Sequence, residues 1–281
     1  MTTSTPWLNV VRGDAPLLLS IPHTGLDLCG LVPRLVSPWL ARKDADWWIE
    51  MLYDFAGDLG ATVIRTTISR TVIDVNRDPT GVSLYPGQAT TELCPTLSFD
   101  GEAFYLTGQE PTAEEIAERR RLYFDPYHAA VVGEIERLRQ RHPRVVVYDA
   151  HAIRSMIPRL FAGELPHFNI GTNDGKASDP ILTNAVEGVC AQTKFSRVVN
   201  GRFKGGYITR RYGKPDQGVH AIQMELACRG YLRETPGPAI EALWPLPYDS
   251  AHAAPLRAAL VHIFEACLSF ATHSFSNRGS S

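Results

Sequence analysis

The run RVVVY, from Arg144 to Tyr148, reads as a continuous apolar strand with no polar alternation. A strand of that kind has to be covered on both faces, so it belongs in the middle of a sheet with layers above and below it. The rest of the chain supplies those layers, because short apolar runs alternate with helical patterns. Pro16 to Ile21 (PLLLSI) predicts a strand ended by Pro22, and Ala61 to Thr66 a second, closely followed by Val72 to Val75. Asp46 to Leu59 predicts a helix with Trp48, Leu52, Phe55 and Leu59 on one face, Asp44 as a candidate cap and Gly60 as its stop. Thr112 to Arg141 is strongly helical, opens on the capping box TAEE, and is divided or kinked at Pro126. Further strands are expected over His167 to Gly171, Phe195 to Val199 and His220 to Leu226 (HAIQMEL), and a helix around Asp179 to Cys190. Leu256, Leu260, Ile263, Cys267 and Phe270 mark an amphipathic C-terminal helix. Arg77 to about Glu110 reads as an ordered active-site loop, and Gly201 to Gly218 as a loop rich in Gly and Arg. The pattern predicts an α/β fold, a three-layer sandwich around a mixed, mostly parallel sheet. With no internal repeat and no linker, residues 1–281 are expected to form one domain, with a disordered tail from about residue 275.

Composition narrows the function classes. The formal net charge is −2, which argues against electrostatic binding to nucleic acid or to an anionic membrane. Five cysteines (Cys29, Cys94, Cys190, Cys228, Cys267) form no CxxC pair, so neither a zinc knuckle nor a disulfide framework is expected, and a reducing cytoplasm fits. MTTSTPWLNV has no basic segment followed by a long apolar run, so no signal peptide is expected, and no stretch is expected to reach the roughly 20 apolar residues that a membrane span needs. Oligomeric state is not legible.

A Walker A loop, a GxGxxG after a strand and a GxSxG elbow are all absent. The informative residues are histidines and carboxylates at strand ends, where open α/β sheets build ligand sites. His23 follows the first strand in SIPHTG, and His151 follows RVVVY in YDAHA. Two imidazoles so placed could share a metal ion, with Asp149 as a further ligand or as the group that orients His151. A catalytic zinc usually takes a third protein ligand, for which Asp44 and Asp46 are both candidates. On HAIQMEL, Gln223 and Glu225 share one face while Ile222, Met224 and Leu226 share the other. Glu225 is therefore a candidate general base, an acid on an otherwise apolar strand. SRTVIDVNR would place Asp74, Asn76 and Asp78 on one strand face, flanked by Arg70 and Arg77. The glycine-rich segment adds Arg202, Lys204, Arg210 and Arg211, a local positive excess suited to an anionic small substrate.

Taken together and in order, SIPHTG, DADW, SRTVIDVNR, SLYPGQATTELCP, DAHA, FNIGTNDG, GRFKGGYITRRYG and HAIQMEL resemble the N-formylglutamate amidohydrolase (deformylase) family over roughly residues 16 to 232. The resemblance implies a zinc-carboxypeptidase-like (phosphorylase/hydrolase-like) α/β fold and one divalent metal ion, usually Zn2+. It implies hydrolysis of N-formyl-L-glutamate to L-glutamate and formate in histidine degradation. Carried onto this chain, it implies His23, Asp46 and His151 as metal ligands, with Asp149 or Asp44 as a supporting or alternative group. It further implies Glu225 as general base, Arg70 polarising the formyl oxygen, and Asn76 with Arg77 on the α-carboxylate. Arg202, Lys204, Arg210 and Arg211 remain open for the side-chain carboxylate. The residue three after His23 is Leu26, so the superfamily's HxxE pairing is absent and the acid has to come from elsewhere. YDAHA also resembles the DAHxD motif of manganese ureohydrolases, but Ile153 stands where that motif needs its last acid. A non-catalytic binder of acidic amino acids is the third alternative.

Overall fold

The computed structural model describes residues 6–82, 87, 90–234 and 237–272. The expected tail from about residue 275, and residues 83–86, 88 and 89 of the SLYPGQATTELCP motif, lie outside the described residues. The chain runs β1 (Leu8–Val11), β2 (Leu17–Ile21), α1 (Ile49–Leu52), β3 (Thr62–Thr66), α2 (Ala113–Arg119), α3 (Asp125–Arg139), β4 (Val145–Ile153), β5 (Phe168–Gly171), α4 (Pro180–Ala191), β6 (Arg197–Val199), α5 (Tyr207–Tyr212), β7 (Val219–Ala227) and α6 (Ser250–Thr272). The strands form one sheet in the order β1-β3-β2-β4-β7-β5-β6. Pairings β2–β3, β2–β4, β4–β7 and β5–β6 are parallel, and β1–β3 and β5–β7 are antiparallel. The sheet is thus mixed and mostly parallel, as expected from the strand–helix alternation.

β4 lies at the centre with all nine residues buried. It runs five residues past Tyr148 because β7 pairs with it throughout, up to Ile153 opposite Ala227. Asp149 and His151 therefore sit within the strand and not after it. Alternation then divides the two faces. Tyr148, Ala150 and Ala152 of β4 and Ile222, Met224 and Leu226 of β7 pack with Leu182 and Val186 of α4 and Leu256, Leu260 and Phe264 of α6. On the opposite face, Val145, Val147 and Ala221 pack with Tyr127, Val131 and Leu138 of α3 and Ile208 of α5. Asp149, His151, Gln223 and Glu225 share the parity of this second face and carry it toward the carboxyl ends of the parallel strands.

Several local expectations give way to tertiary demands. The helix expected from Asp46 to Leu59 is reduced to α1 and a 3-10 turn at Asp54–Ala56. Its first turn cannot form because Asp46 N–H donates to the carbonyl of His23 (3.0 Å), and Trp48 takes a left-handed φ of 64°. Val72 to Val75 is buried but turned, not a strand, with Val72 N–H on Ser69 O (2.9 Å) and Asp74 N–H on Leu93 O (2.7 Å). Asp74, Asn76 and Asp78 therefore share no strand face. The loop expected over Gly201 to Gly218 contains α5, whose Ile208 and Tyr212 find apolar cover. Pro126 lies in the first turn of α3, preceded by wide π-type turns over Arg120–Phe124, because proline has no N–H for the regular ladder. Thr112 caps α2 by accepting from Glu115 N–H, as TAEE predicts. Against the expectation of no span-like stretch, α6 is by length and composition alone apolar enough to cross a membrane, with a mean hydropathy of 1.3 over 18 residues. In this fold Ala253, Leu256, Leu260, Ile263, Phe264, Cys267 and Phe270 of α6 belong to the core.

His128 on α3 ties the second layer together. Its Nε2–H donates to the carbonyl of Val75 (2.8 Å), and its Nδ1 accepts from the Tyr212 hydroxyl (2.7 Å). Burial pushes this imidazole down to about 4, and burial pushes His220 down to about 4 as well. Below about pH 6.5 the unfolded chain binds protons that the native rings refuse until about pH 4, so this stability is present above 6.5 and lost as pH falls through that window. For His128 the contribution is at most about 3 kcal/mol. Thermal unfolding between pH 7 and pH 4 should show a falling Tm, and His128→Gln should melt lower at pH 7 yet fall less steeply. An unchanged slope in the variant would rule His128 out as a source.

Candidate active site

β2, β4 and β7 are parallel and end on the same edge of the sheet, and the strand order reverses between β2 and β4. Such a switch point leaves a crevice at the carboxyl ends of the strands. His23 enters it just after β2. The following turn presses against the backbone at Thr67 and Ile68, where a Cβ on Gly25 would come within 2.3 Å of the Ile68 carbonyl oxygen. Asp46 is drawn in from the segment before α1 by its own N–H on His23 O and by Ala152 N–H on its Oδ2 (3.2 Å). His151 arrives on β4.

Three atoms converge there. His151 Nδ1 lies 3.1 Å from both His23 Nδ1 and Asp46 Oδ2, and His23 Nδ1 lies 3.7 Å from the same carboxylate oxygen. The other nitrogen of each ring is held by a separate carboxylate, His23 Nε2 by Asp74 Oδ1 (2.7 Å) and His151 Nε2 by Asp149 Oδ2 (3.0 Å). A carboxylate on one ring nitrogen fixes the tautomer and turns the other lone pair toward a cation. Asp46 Oδ1 is buried without a hydrogen-bond partner, an orphaned acceptor that a cation would satisfy. Donors of these types, with nitrogens spaced close to the roughly 3.3 Å expected across a tetrahedral site, fit a divalent metal such as zinc. Among the described residues, His23, Asp46 and His151 form a group able to hold a metal ion.

The cavity above this group is lined by His23, His151, Glu225, three arginines (Arg70, Arg77, Arg202) and an apolar wall of Phe99, Ile153, Leu160 and Phe203. Glu225 lies beside His151 across the β4–β7 pairing, and Gln223 Nε2–H donates to its Oε2 (3.0 Å). Burial pushes its carboxyl up to about 7. Arg70 lies over Phe99 (4.8 Å) and donates to Asp74 Oδ2 (2.8 Å), and Arg77 donates twice to Thr91 Oγ1 (3.0 and 2.8 Å). Arg202 donates to Leu160 O (2.8 Å) and lies over Phe203 (5.2 Å).

The structure sorts the residues that the sequence left open. Asp46 joins the histidines, whereas Asp44 accepts from Phe99 N–H (2.6 Å) and Arg154 (3.0 Å) and so shapes the apolar wall. Asp149 supports His151. Of the basic loop residues, Arg202 lines the cavity. Lys204 pairs with Asp174 (3.1 Å), Arg210 donates to Gly205 O (2.8 Å), and Arg211 is exposed on α5, so none of these three is among the lining residues. Asn76 reaches the cavity, but its amide is already engaged. Its Nδ2 meets Asp149 Oδ2 (2.9 Å) and His151 Nε2 (2.8 Å), and its Oδ1 accepts from Ile208 N–H (2.8 Å). It acts as a strut between β4 and α5 and lines the cavity beside Arg77. Sequence reasoning gave Asp74 no role, because its central position depends on a turn that reads as a strand.

The family model described as N-formylglutamate amidohydrolase matches residues 15–232. The chain belongs to the N-formylglutamate amidohydrolase family. It is similar to an N-formylglutamate deformylase of Pseudomonas putida, 42% identical over 270 residues that cover 95% of this chain and 98% of that one. It is also similar to an N-formylglutamate deformylase of Pseudomonas aeruginosa, 46% identical over 229 residues that cover 81% and 86%. The crystal structure of N-formylglutamate amidohydrolase from Ralstonia eutropha JMP134 shares the fold, with a TM-score of 0.75 at 20% identity over 92% of this chain and 97% of that one.

In this family member, removing the Asn76 amide leaves Ile208 N–H without its acceptor and takes one contact each from Asp149 and His151, which keep each other. Asn76→Ala should lower stability by about 1–3 kcal/mol in urea unfolding, since each buried group left unpaired carries a desolvation penalty. Hydrogen exchange should quicken at Ile208 and along α5. Unchanged exchange there would show that Asn76 is not the strut.

Proposed function

We propose that the chain hydrolyses N-formyl-L-glutamate to L-glutamate and formate at this cavity, with one divalent metal ion, Zn2+, held by His23, Asp46 and His151. The observation that carries the reading is the joint presence, in one cleft, of that ligand group, a carboxyl poised near neutrality and three arginines. Relatives named as deformylases at 42% and 46% identity support it. A metal ion so held supplies Lewis-acid polarisation of the formyl carbonyl and lowers the pKa of water.

The protein's own groups do the rest. Glu225 takes the proton of the attacking water and then hands it to the amine of glutamate as the C–N bond breaks. A carboxyl lifted to about 7 by burial is matched to both halves of that task. Arg70, beside Asp46 and Asp74, is placed to stabilise negative charge developing on the formyl oxygen. Arg77 and Arg202 bind the two carboxylates of the substrate and so fix the formyl group over the ligand set. The apolar wall excludes water and strengthens each of these interactions.

Formate release from N-formylglutamate by metal-replete protein, with about one zinc per chain, is the expected result. A metal-replete sample that binds glutamate but releases no formate would favour a binder. Two manganese ions per chain would favour the ureohydrolase alternative. Glu225→Gln should keep its metal and lose about 10²–10⁴-fold in kcat, a typical general-base contribution. Arg202→Ala should raise KM for N-formylglutamate with kcat nearly unchanged, the mark of a lost binding contact. A fall confined to kcat would remove Arg202 from substrate binding.

A further inference from the structure

Asp74 is fully buried, and each of its oxygens serves a different part of the site. Oδ1 faces His23 Nε2 (2.7 Å) and accepts from Asn76 N–H (2.9 Å). Oδ2 accepts from Arg70 (2.8 Å) and lies 3.5 Å from Arg77 Nε. The second terminal nitrogen of the Arg70 guanidinium, Nη1, already stands 3.6 Å from Asp46 Oδ1, the orphaned oxygen of the ligand group. Two carboxylates therefore compete for one arginine, and the closer contact belongs to Asp74.

We propose that Asp74 is a positioning residue that holds Arg70 off Asp46, keeping that carboxylate available to the metal while aiming Arg70 and Arg77 into the substrate cavity. This rests on the reading of His23, Asp46 and His151 as the metal ligands. The physical basis is that a buried guanidinium keeps its charge and must find an acceptor. Without the Asp74 charge, Arg70 closes the remaining gap to Asp46 and occupies the oxygen that the metal needs. One carboxylate thereby links metal affinity to substrate recognition, although it touches neither metal nor substrate.

Asp74→Asn is the discriminating change, because an amide oxygen can still face His23 while the amide N–H₂ cannot accept from Arg70. Zinc affinity, measured by chelator competition without substrate, should weaken about 10–100-fold. The pair Arg70→Gln/Asp74→Asn should recover most of that loss, to near the affinity of Arg70→Gln alone, which a general loss of packing would not allow. At saturating zinc, Asp74→Asn should also raise KM for N-formylglutamate by about tenfold, the loss of one aimed charge-assisted contact. If the single variant does not fold, the pair carries the test, and zinc binding tenfold weaker than in Arg70→Gln overturns the proposal. Wild-type-like zinc affinity in Asp74→Asn overturns it too. A wild type that binds zinc and releases no formate defeats the proposed reaction but leaves these zinc titrations decisive. A wild type that takes up no metal overturns both.

Discussion

Asp46, Asp74 and Asp149 are almost completely buried beside two imidazoles, at the carboxyl ends of β2 and β4. Uncompensated charges in such a place would each cost several kcal/mol. Much of the surrounding structure works to compensate them. Asp149 accepts from Ser20 (3.2 Å), whose hydroxyl also meets Tyr127 (3.0 Å), and from Asn76. Asp74 has His23, Arg70, Arg77 and a backbone N–H. Opposed by burial, His23, Arg77 and Arg70 still hold Asp74 well below the usual carboxylate range. For His151, burial works against the proton, but Asp149 and Asp46 hold it well above the ordinary value. The acids and imidazoles are mutually dependent, and Asp46 Oδ1 is left without a hydrogen-bond partner among the described residues, at a place where a cation would satisfy it.

That electrostatic demand explains why irregular backbone surrounds the site. The turn from Ser69 to Arg77 brings Arg70, Asp74, Asn76 and Arg77 together, whereas a strand would put Arg77 on the face opposite the other three. His128 pins this turn to α3 through Val75 O, and Asn76 pins it to α5 through Ile208 N–H. Gly206 opens α5, and a Cβ there would stand 2.5 Å from Asn76 Nδ2. The site is thus built on the parallel strands but aimed by loops locked onto the second helical layer.

What could be read from the sequence follows the same division. RVVVY announced a central strand, and the alternation in HAIQMEL placed Gln223 and Glu225 on one face, because strand periodicity is local and simple. Histidines at two strand ends were legible for the same reason. The helix over Asp46 to Leu59 was misleading. Its apolar spacing is helical, yet Trp48 takes a left-handed φ and the backbone of Asp46 is claimed by His23. Val72 to Val75 looked like a strand because buried turns and buried strands share a composition. The choice among Arg202, Lys204, Arg210 and Arg211 could not be made locally either, since α5 carries the last two and starts only where tertiary packing permits it.

The apolar wall connects this architecture to reactivity. Phe99, Ile153, Leu160 and Phe203 belong to, or pack against, a small cluster with Ile157 and Leu165, held in part by Asp44 on Phe99 N–H. By limiting water, the wall makes ionisation of Glu225 costly and lifts its carboxyl to about 7. The same low dielectric strengthens the attraction of Arg70, Arg77 and Arg202 for carboxylates. A wetter cleft would lower the Glu225 carboxyl and weaken the pull of the arginines on an anion together. The raised carboxyl of Glu225 and the strength of the arginine charges are therefore set by one property of the fold, and a chain with a net charge of only −2 gathers Arg70, Arg77 and Arg202 around one cavity.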